Sequence, residues 1–268
     1  MLAGGLIATF AGKSTSAGAP DLEGIGLAIA FDALTFLVSA STLWFMKVAR
    51  PQTGAGQPRL LDSIKEGIHF VLQDPALRLV YILIAAVNLI FVGPLLVGIP
   101  VLADTRLPQG AAAFGMIMSA YGGGNLAGIL LAGALPRFKP QAVTALLVGL
   151  IAAFGGAMAM FAFFASTLPF IVVMLLLGVG NGYLAILLVT FLQTNTPKEM
   201  IGRVMSLLLF ANLGLVPVSQ ALSGVLLKIS INGVFIGAGI LMVLIAGGML
   251  LTPDLKIIGL RIARVEPN

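Results

Sequence analysis

Asp32 is the one titratable side chain inside any of the long apolar runs of this chain. A carboxylate in such a run is costly enough to suggest a purpose. It suits a proton-coupling or substrate-contacting group. It equally suits a structural group bonded to a neighbouring helix or reaching outer-leaflet water. Seven neutral polar residues, Asn88, Tyr121, Asn125, Asn181, Tyr183, Asn212 and Gln220, lie inside the other runs, most of them near the middle. Tyr121 and Asn125 are four apart and share a helix face. Such residues either line one wall of a cavity for a small molecule or bond helix to helix, at about 0.6–2 kcal/mol per pair.

The inventory excludes most other chemistry. There is no cysteine, hence no disulfide, no thiol nucleophile and no cysteine metal site. The single histidine, His69, falls in a loop, so no Ser–His pair, His/Glu zinc set or second aspartate is at hand in an apolar run. No catalytic residue, metal site or cofactor is expected. Gly122-Gly123-Gly124 has no lysine after it and sits inside an apolar run, so it is not a phosphate loop.

The elements that carry these residues follow from composition. Of 268 residues, 59% are hydrophobic and 9% charged, against about 25% charged in soluble domains. The mean hydropathy is +1.09. A soluble enzyme, a nucleic-acid-binding domain and a disordered chain are all excluded, and the lipid bilayer is the expected surrounding. A membrane helix needs about 20 apolar residues to cross about 30 Å. Seven stretches qualify: 24–47, 79–103, 112–135, 141–165, 168–192, 204–227 and 231–252. Pro94, Pro100 and Pro217 lie inside them, as membrane helices tolerate. No ten-residue alternation of a membrane barrel is present.

The first 12 residues, Met1–Gly12, are apolar but too short to span. Their first positive charge, Lys13, follows the apolar run rather than preceding it, unlike a signal peptide. They read as the tail of a helix whose beginning is missing. If 24–47 runs inward, the inner connections hold 12 of the 15 Lys and Arg residues, leaving Lys13, Arg106 and Lys228 outside. The positive-inside rule then puts the C-terminus in the cytoplasm. The net charge of +5 is spread over these loops, not gathered into a nucleic-acid-binding face.

One connection differs from the rest. Residues 48–78 open with a Pro/Gly stretch and continue as an amphipathic helix, with Leu60, Leu61, Ile64, Ile68, Val71 and Leu72 on one face and Pro75 ending it. Such a helix lies on the inner membrane surface or packs on the cytoplasmic end of the bundle, and the two are compatible. Three small-xxx-small pairs, Gly124/Gly128, Gly178/Gly182 and Gly233/Gly237, predict close helix packing.

One helix, a long loop and six further helices resemble the major facilitator superfamily from its sixth helix onward. Phe31-Asp32-Ala33-Leu34-Thr35-Phe36-Leu37-Val38-Ser39-Ala40 resembles helix six of the exporter branch that includes enterobactin exporters and macrolide efflux pumps. Glu66-Gly67-Ile68-His69-Phe70-Val71, followed by Asp74-Pro75-Ala76-Leu77-Arg78, is similar to that branch's central loop. Gln193-Thr194-Asn195-Thr196-Pro197 with Gly202-Arg203-Val204-Met205-Ser206 resembles its connection between helices ten and eleven. Gly133-Ala134-Leu135-Pro136-Arg137-Phe138-Lys139 resembles the basic loop motif after helix eight, without its acidic residue.

The resemblance implies an all-α membrane protein with seven transmembrane helices, helix six plus the C-terminal six-helix half of a major facilitator fold. It divides the chain into 1–47 (end of helix five and helix six), 48–78 (cytoplasmic central loop), 79–252 (six-helix bundle) and 253–268 (cytoplasmic tail). The six-helix part is expected to hold two inverted repeats, 79–165 and 168–252, each with an asparagine near the centre of its first helix, Asn88 and Asn181. The implied activity is ion-gradient-driven export of a small amphiphile such as a drug or siderophore across the bacterial inner membrane. The seven polar residues are its cavity candidates, with Met118, Met174, Phe191 and Phe210 as apolar lining, and Asp32 is its coupling candidate. Arg137 and Arg203 are expected to pair across helices at the cytoplasmic gate, or else only to set topology. The implied partners are the bilayer, the substrate and an N-terminal transporter half. The alternative is a truncated or split half with no transport of its own.

Overall fold

The structure, a computed structural model, describes residues 22–45, 60–135 and 139–263, all helices and short connections. The readings made of Met1–Gly12 and of Arg137 lie outside the described residues. The chain divides into two compact units between Pro58 and Arg59. In the first, α1 runs over Leu22–Phe45 and carries Asp32. The hydroxyls of Thr35, Ser41 and Thr42 donate to carbonyls three or four residues earlier, which satisfies them within an apolar helix. Among the described residues Asp32–Phe45 is a shorter apolar helix, and the seventh span over 24–47 rests on the sequence.

The second unit comprises α2 (Leu60–Gln73), α3 (Pro75–Arg106), α4 (Ala111–Ala134), α5 (Pro140–Phe161), α6 (Thr167–Thr194), α7 (Lys198–Leu227), α8 (Ile231–Leu251) and α9 (Asp254–Ala263). Among the described residues six helices, α3 to α8, are long and apolar enough to cross a membrane. Two of them start well before the apolar stretches, because charged residues hide a helix from an apolar count. Lys198 and Arg203 lie in the first turns of α7. The start of α3 is set by Asp74, an extended N-cap whose Oδ1 accepts the N–H groups of Ala76 (2.9 Å) and Leu77 (3.2 Å), with Pro75 in the first turn.

Glycine decides how the bundle closes. A Cβ on Gly124 would lie 2.1 Å from the Leu175 carbonyl oxygen, and one on Gly128 2.1 Å from that of Val179. From the other side, a Cβ on Gly178 would lie 2.2 Å from Tyr121 O, and one on Gly182 2.1 Å from Asn125 O. The partner numbers rise together, so α4 and α6 run parallel with backbones in contact over two turns. Two of the three predicted glycine pairs therefore face each other. The third does not: Gly237 has nothing within 4 Å, and Gly233 meets only Ser230, whose hydroxyl caps α8 by accepting the Gly233 N–H at 3.0 Å. The close contact of α8 is made two residues on. Gly239 meets Gly155 O at 2.6 Å and Gly155 meets Gly239 O at 2.7 Å, joining α8 to α5 in antiparallel sense.

The basic end of the bundle is closed by two short helices. Helix α2 packs on α7: a Cβ on Gly67 would lie 3.3 Å from Arg203 Cβ and from Leu207 Cδ1, Val71 is buried, and Glu66 pairs with Arg203. The residues expected as a plain tail, 253–268, contain α9, which buries Leu255 and Ile258. Arg261 donates to Asp74 Oδ2 at 2.6 Å and Arg78 meets Asp254 at 3.6 Å, so α9 is clasped to the start of α3. At the opposite end Arg106 donates to Ala162 O (3.1 Å), at the C-terminus of α5, and to Asn232 Oδ1 (2.6 Å). That satisfies a carbonyl left open by the helix end and complements its dipole. Helix α3 is thus held by charge at both ends.

The clasp is expected to depend on pH. Burial raises the affinity of the Asp74 carboxyl for a proton. Its hydrogen bond from Arg261 and those from the Leu77 and Ala76 N–H groups outweigh burial and hold it below the ordinary 3.8. A carboxylate more acidic when folded contributes stability above its unfolded pKa and loses it as pH falls through the folded one. Asp74→Asn is therefore expected to lower stability at neutral pH by about 1 kcal/mol, a modest figure because the pair is partly exposed and screened. The difference between the two proteins should shrink as pH drops below 3.8. Unfolding in detergent, followed across pH for both, reads this directly. A difference that stays constant into acid would show that the cap geometry, not the charge, carries the effect.

Candidate functional site

The middle of α3 is not an ordinary α-helix. Asn88–Val92 and Pro94–Gly98 are π-helical turns, and each lies just before a proline, Pro94 or Pro100. A proline ring collides with the carbonyl four residues back and brings no N–H, and a widened turn relieves both. π turns of this kind recur at functional sites. The gap is filled from α7. Ser219, fully buried, donates to Leu89 O at 2.6 Å and accepts the Gly93 N–H at 2.9 Å. The rung that an α-helix would make directly from Gly93 to Leu89 passes through a hydroxyl of another helix. Glycine is required there, because a Cβ on Gly93 would lie 2.3 Å from Ser219 O.

The first π turn opens at Asn88 and gives it to a cavity of about 180 Å³. Five helices line that cavity, with Leu83, Phe91, Leu147, Ile151 and Leu184 among the apolar walls. Four polar side chains line it: Asn88 from α3, Tyr121 from α4, Asn181 from α6 and Asn212 from α7. Asn88 Nδ2 donates to Asn212 Oδ1 at 3.0 Å, and Asn212 Nδ2 donates to Leu208 O at 2.9 Å. No charged residue lines the cavity. Three amides and a phenol in apolar walls can hydrogen-bond a neutral polar group, but leave a buried charge without a counter-charge. Complete pockets for drug-sized ligands measure about 300–1,000 Å³, so this volume takes a very small ligand or one part of a larger one.

The structure thus gathers four of the seven polar candidates and places the other three elsewhere. The backbone of Asn125 lies in the glycine seam between α4 and α6, against Gly178 and Gly182. Tyr183 sits beside the same seam, its N–H facing Gly128, and Gln220 follows Ser219 on α7; neither lines the cavity. The apolar residues expected as lining are not there either. Met174 and Phe191 are buried in the core, Met118 packs against it, and Phe210 is exposed. The shared face of Tyr121 and Asn125 is the helix-packing face, from which only the tyrosine side chain reaches the cavity. Asp32, on α1, is exposed. Arg203 makes its ion pair with Glu66 of α2, and the structure is silent on Arg137.

Sequence reasoning missed Ser219, Leu147 and Ile151. A serine in an apolar run carries little signal by itself. The available clue was Gly93-Pro94, a freed rung beside the smallest residue, which calls for a donor and acceptor from elsewhere.

The sequence matches the family model of the Major Facilitator Superfamily over residues 1–218. It is similar to an uncharacterized MFS-type transporter, y4rN, of Sinorhizobium fredii, with 29% identity over 213 residues, 76% of this chain. The chain spans about half the length of that curated relative, 50%. No solved structure matches. With a family match over most of its length and six helices fit to cross a bilayer, this chain belongs to the major facilitator superfamily, whose members are multi-pass membrane transporters and not enzymes.

Proposed function

We propose that the chain is the C-terminal six-helix half of a secondary active exporter, preceded by its helix six, and that it carries one wall of the site for a small uncharged amphiphile. The cavity carries this reading. Asn88, Tyr121, Asn181 and Asn212 converge on it from four helices, and two of them, Asn88 and Asn181, are the central asparagines of the first helices of the two repeats. Transporters of inverted repeats bind substrate near the membrane midplane, between halves that rock against each other. The neutral lining favours an amphiphile over an ion, sugar or phosphate. Export, rather than uptake, is supported by the resemblance to the siderophore and macrolide exporters. The excess of Lys and Arg at one end supports a cytoplasmic C-terminus, and the exporter branch supports the bacterial inner membrane.

In this reading the Arg203–Glu66 pair closes the cytoplasmic side, and Arg137, which follows α4 in the sequence, is the second gate candidate. Asp32 is the coupling candidate, since α3 to α8 offer no carboxylate in a membrane-crossing core. A half that moves nothing alone is the second reading, favoured by the 50% coverage of the relative.

Efflux of a fluorescent amphiphile from cells tests both. The chain is expressed alone and together with a family N-terminal half supplied separately. Export only with the added half supports a competent C-terminal half. Export by the chain alone would remove the need for a partner, and none in either arm, with the chain confirmed in the membrane, would overturn transport of that substrate class. In the exporting arm, Asn88→Ala and Asn181→Ala are expected to raise the apparent KM about threefold to tenfold. That is the effect of one neutral hydrogen bond of about 0.5–1.5 kcal/mol. Asp32→Asn should abolish the response to an imposed gradient; an unchanged response would return Asp32 to a structural role.

A further inference from the structure

Helix α2 has an apolar arc wider than the arc it buries. Residues advance about 100° around a helix per step. The packed side is centred on Gly67 and Val71, both buried, with Phe70 half-buried on one flank. Glu66, farther round that flank, is tied to Arg203. The opposite flank carries Ile68 and Leu72, 43% and 55% exposed, four residues apart on one stripe. Lys65 is exposed at the edge of that stripe, with His69 and Gln73 beyond it, the latter two bonded to each other at 2.8 Å. An apolar stripe with a basic edge, turned away from the bundle contact, is the pattern of a helix lying in a membrane interface.

Its depth agrees. Gly67 faces Leu207, the tenth residue of α7. Leu209 and Phe210, 59% and 72% exposed, follow within one turn on the apolar length of α7, about 5 Å farther along the axis. Only Asp74 separates α2 from α3. The exposed stripe therefore lies level with the margin of the bundle's own apolar belt.

We propose that α2 is an interfacial anchor. Ile68 and Leu72 insert at the boundary between acyl chains and headgroups at the basic end of the bundle, Lys65 reaches up to the headgroups, and Gly67 and Val71 hold the helix to α7. The anchor fixes the level of α7 and of the Glu66–Arg203 pair relative to the bilayer. It holds whether or not the chain transports alone.

The absence of cysteine from the chain allows a direct test. Single Ile68→Cys, Leu72→Cys and Gln73→Cys variants of the whole chain are spin-labelled in vesicles of mixed phosphatidylcholine and phosphatidylglycerol. Leu209→Cys serves as the lipid reference and Glu199→Cys as the water reference. All five positions are exposed, so folding is not at risk, and monodispersity before reconstitution checks it. Relaxation by oxygen, which concentrates in lipid, is compared with relaxation by a water-soluble nickel chelate. The oxygen-to-nickel ratio at positions 68 and 72 is expected to be several times that at 73 and to approach that at 209. Ratios at 68 and 72 equal to that at 73 would place the stripe in water and overturn the anchor. Low accessibility to both reagents would show a protein covering and overturn it as well.

Discussion

Gly128→Ala is expected to be the most damaging single methyl that can be added to this bundle. The new Cβ would sit 2.1 Å from Val179 O and 2.9 Å from Tyr183 N. Both are backbone atoms, so no rotamer change relieves the overlap, and α4 and α6 must separate along their length. Overpacking costs about 1–3 kcal/mol where side chains can shift; here it should reach about 3 kcal/mol or more. Gly237→Ala is the matched control. It belongs to the same small-xxx-small pattern on another helix, has nothing within 4 Å, and should be neutral or stabilising by up to about 1 kcal/mol through helix propensity. Thermal unfolding of both in one detergent compares them. Equal effects would mean that the seam opens at no cost and that the glycines serve only flexibility.

The second large effect is expected at the serine-filled rung. Gly93→Ala puts a Cβ 2.3 Å from both O and Oγ of Ser219, so it forces α3 from α7 and breaks both hydrogen bonds. Ser219→Ala keeps the fit but strips the Leu89 carbonyl and the Gly93 N–H of their partner, at about 1–3 kcal/mol for buried groups. Gly93→Ala should cost more than Ser219→Ala. The double variant should cost about as much as Gly93→Ala alone, because the hydrogen bonds are already lost and the backbone oxygen is still in the way. Rescue of Gly93→Ala by Ser219→Ala would show that the hydroxyl alone was the obstacle. The cavity reports the same disturbance, since Asn88 and Phe91 belong to the first π turn; both variants are expected to change transport wherever Asn88→Ala does.

The parts of this molecule legible in its sequence are those set by the solvent. Six crossings follow from apolar runs, because lipid leaves the chain no other way to satisfy its backbone. Asn88, Asn181 and Asn212 stood out because polar groups are expensive there. What was not legible depends on which helix meets which. Gly124/Gly128 and Gly233/Gly237 carry one pattern, yet only the first meets another backbone, and nothing local distinguishes them. The Asp74–Arg261 clasp joins residues 187 apart, and each charge taken alone reads as a topology signal. Asn125 was indistinguishable from Tyr121 by spacing; the parallel seam gives its backbone to packing and leaves the cavity to the tyrosine. On α2 the sequence shows an apolar stripe, but its division between bundle and surroundings depends on the width of the contact that Gly67 permits.

The glycine seam has a mechanical consequence. It joins α4 to α6, and the Gly155–Gly239 contact brings α5 and α8 together in the same way. At these two contacts backbone meets backbone, with no compliant layer of side chains between the paired helices. A load applied to one helix of a pair is passed to the other without lag, so each pair behaves as a stiff unit. Neither pair opens the cavity by parting at its own contact. A change of access then falls to bending within α3, where prolines and π turns soften the rod, or to displacement of the pairs as whole bodies.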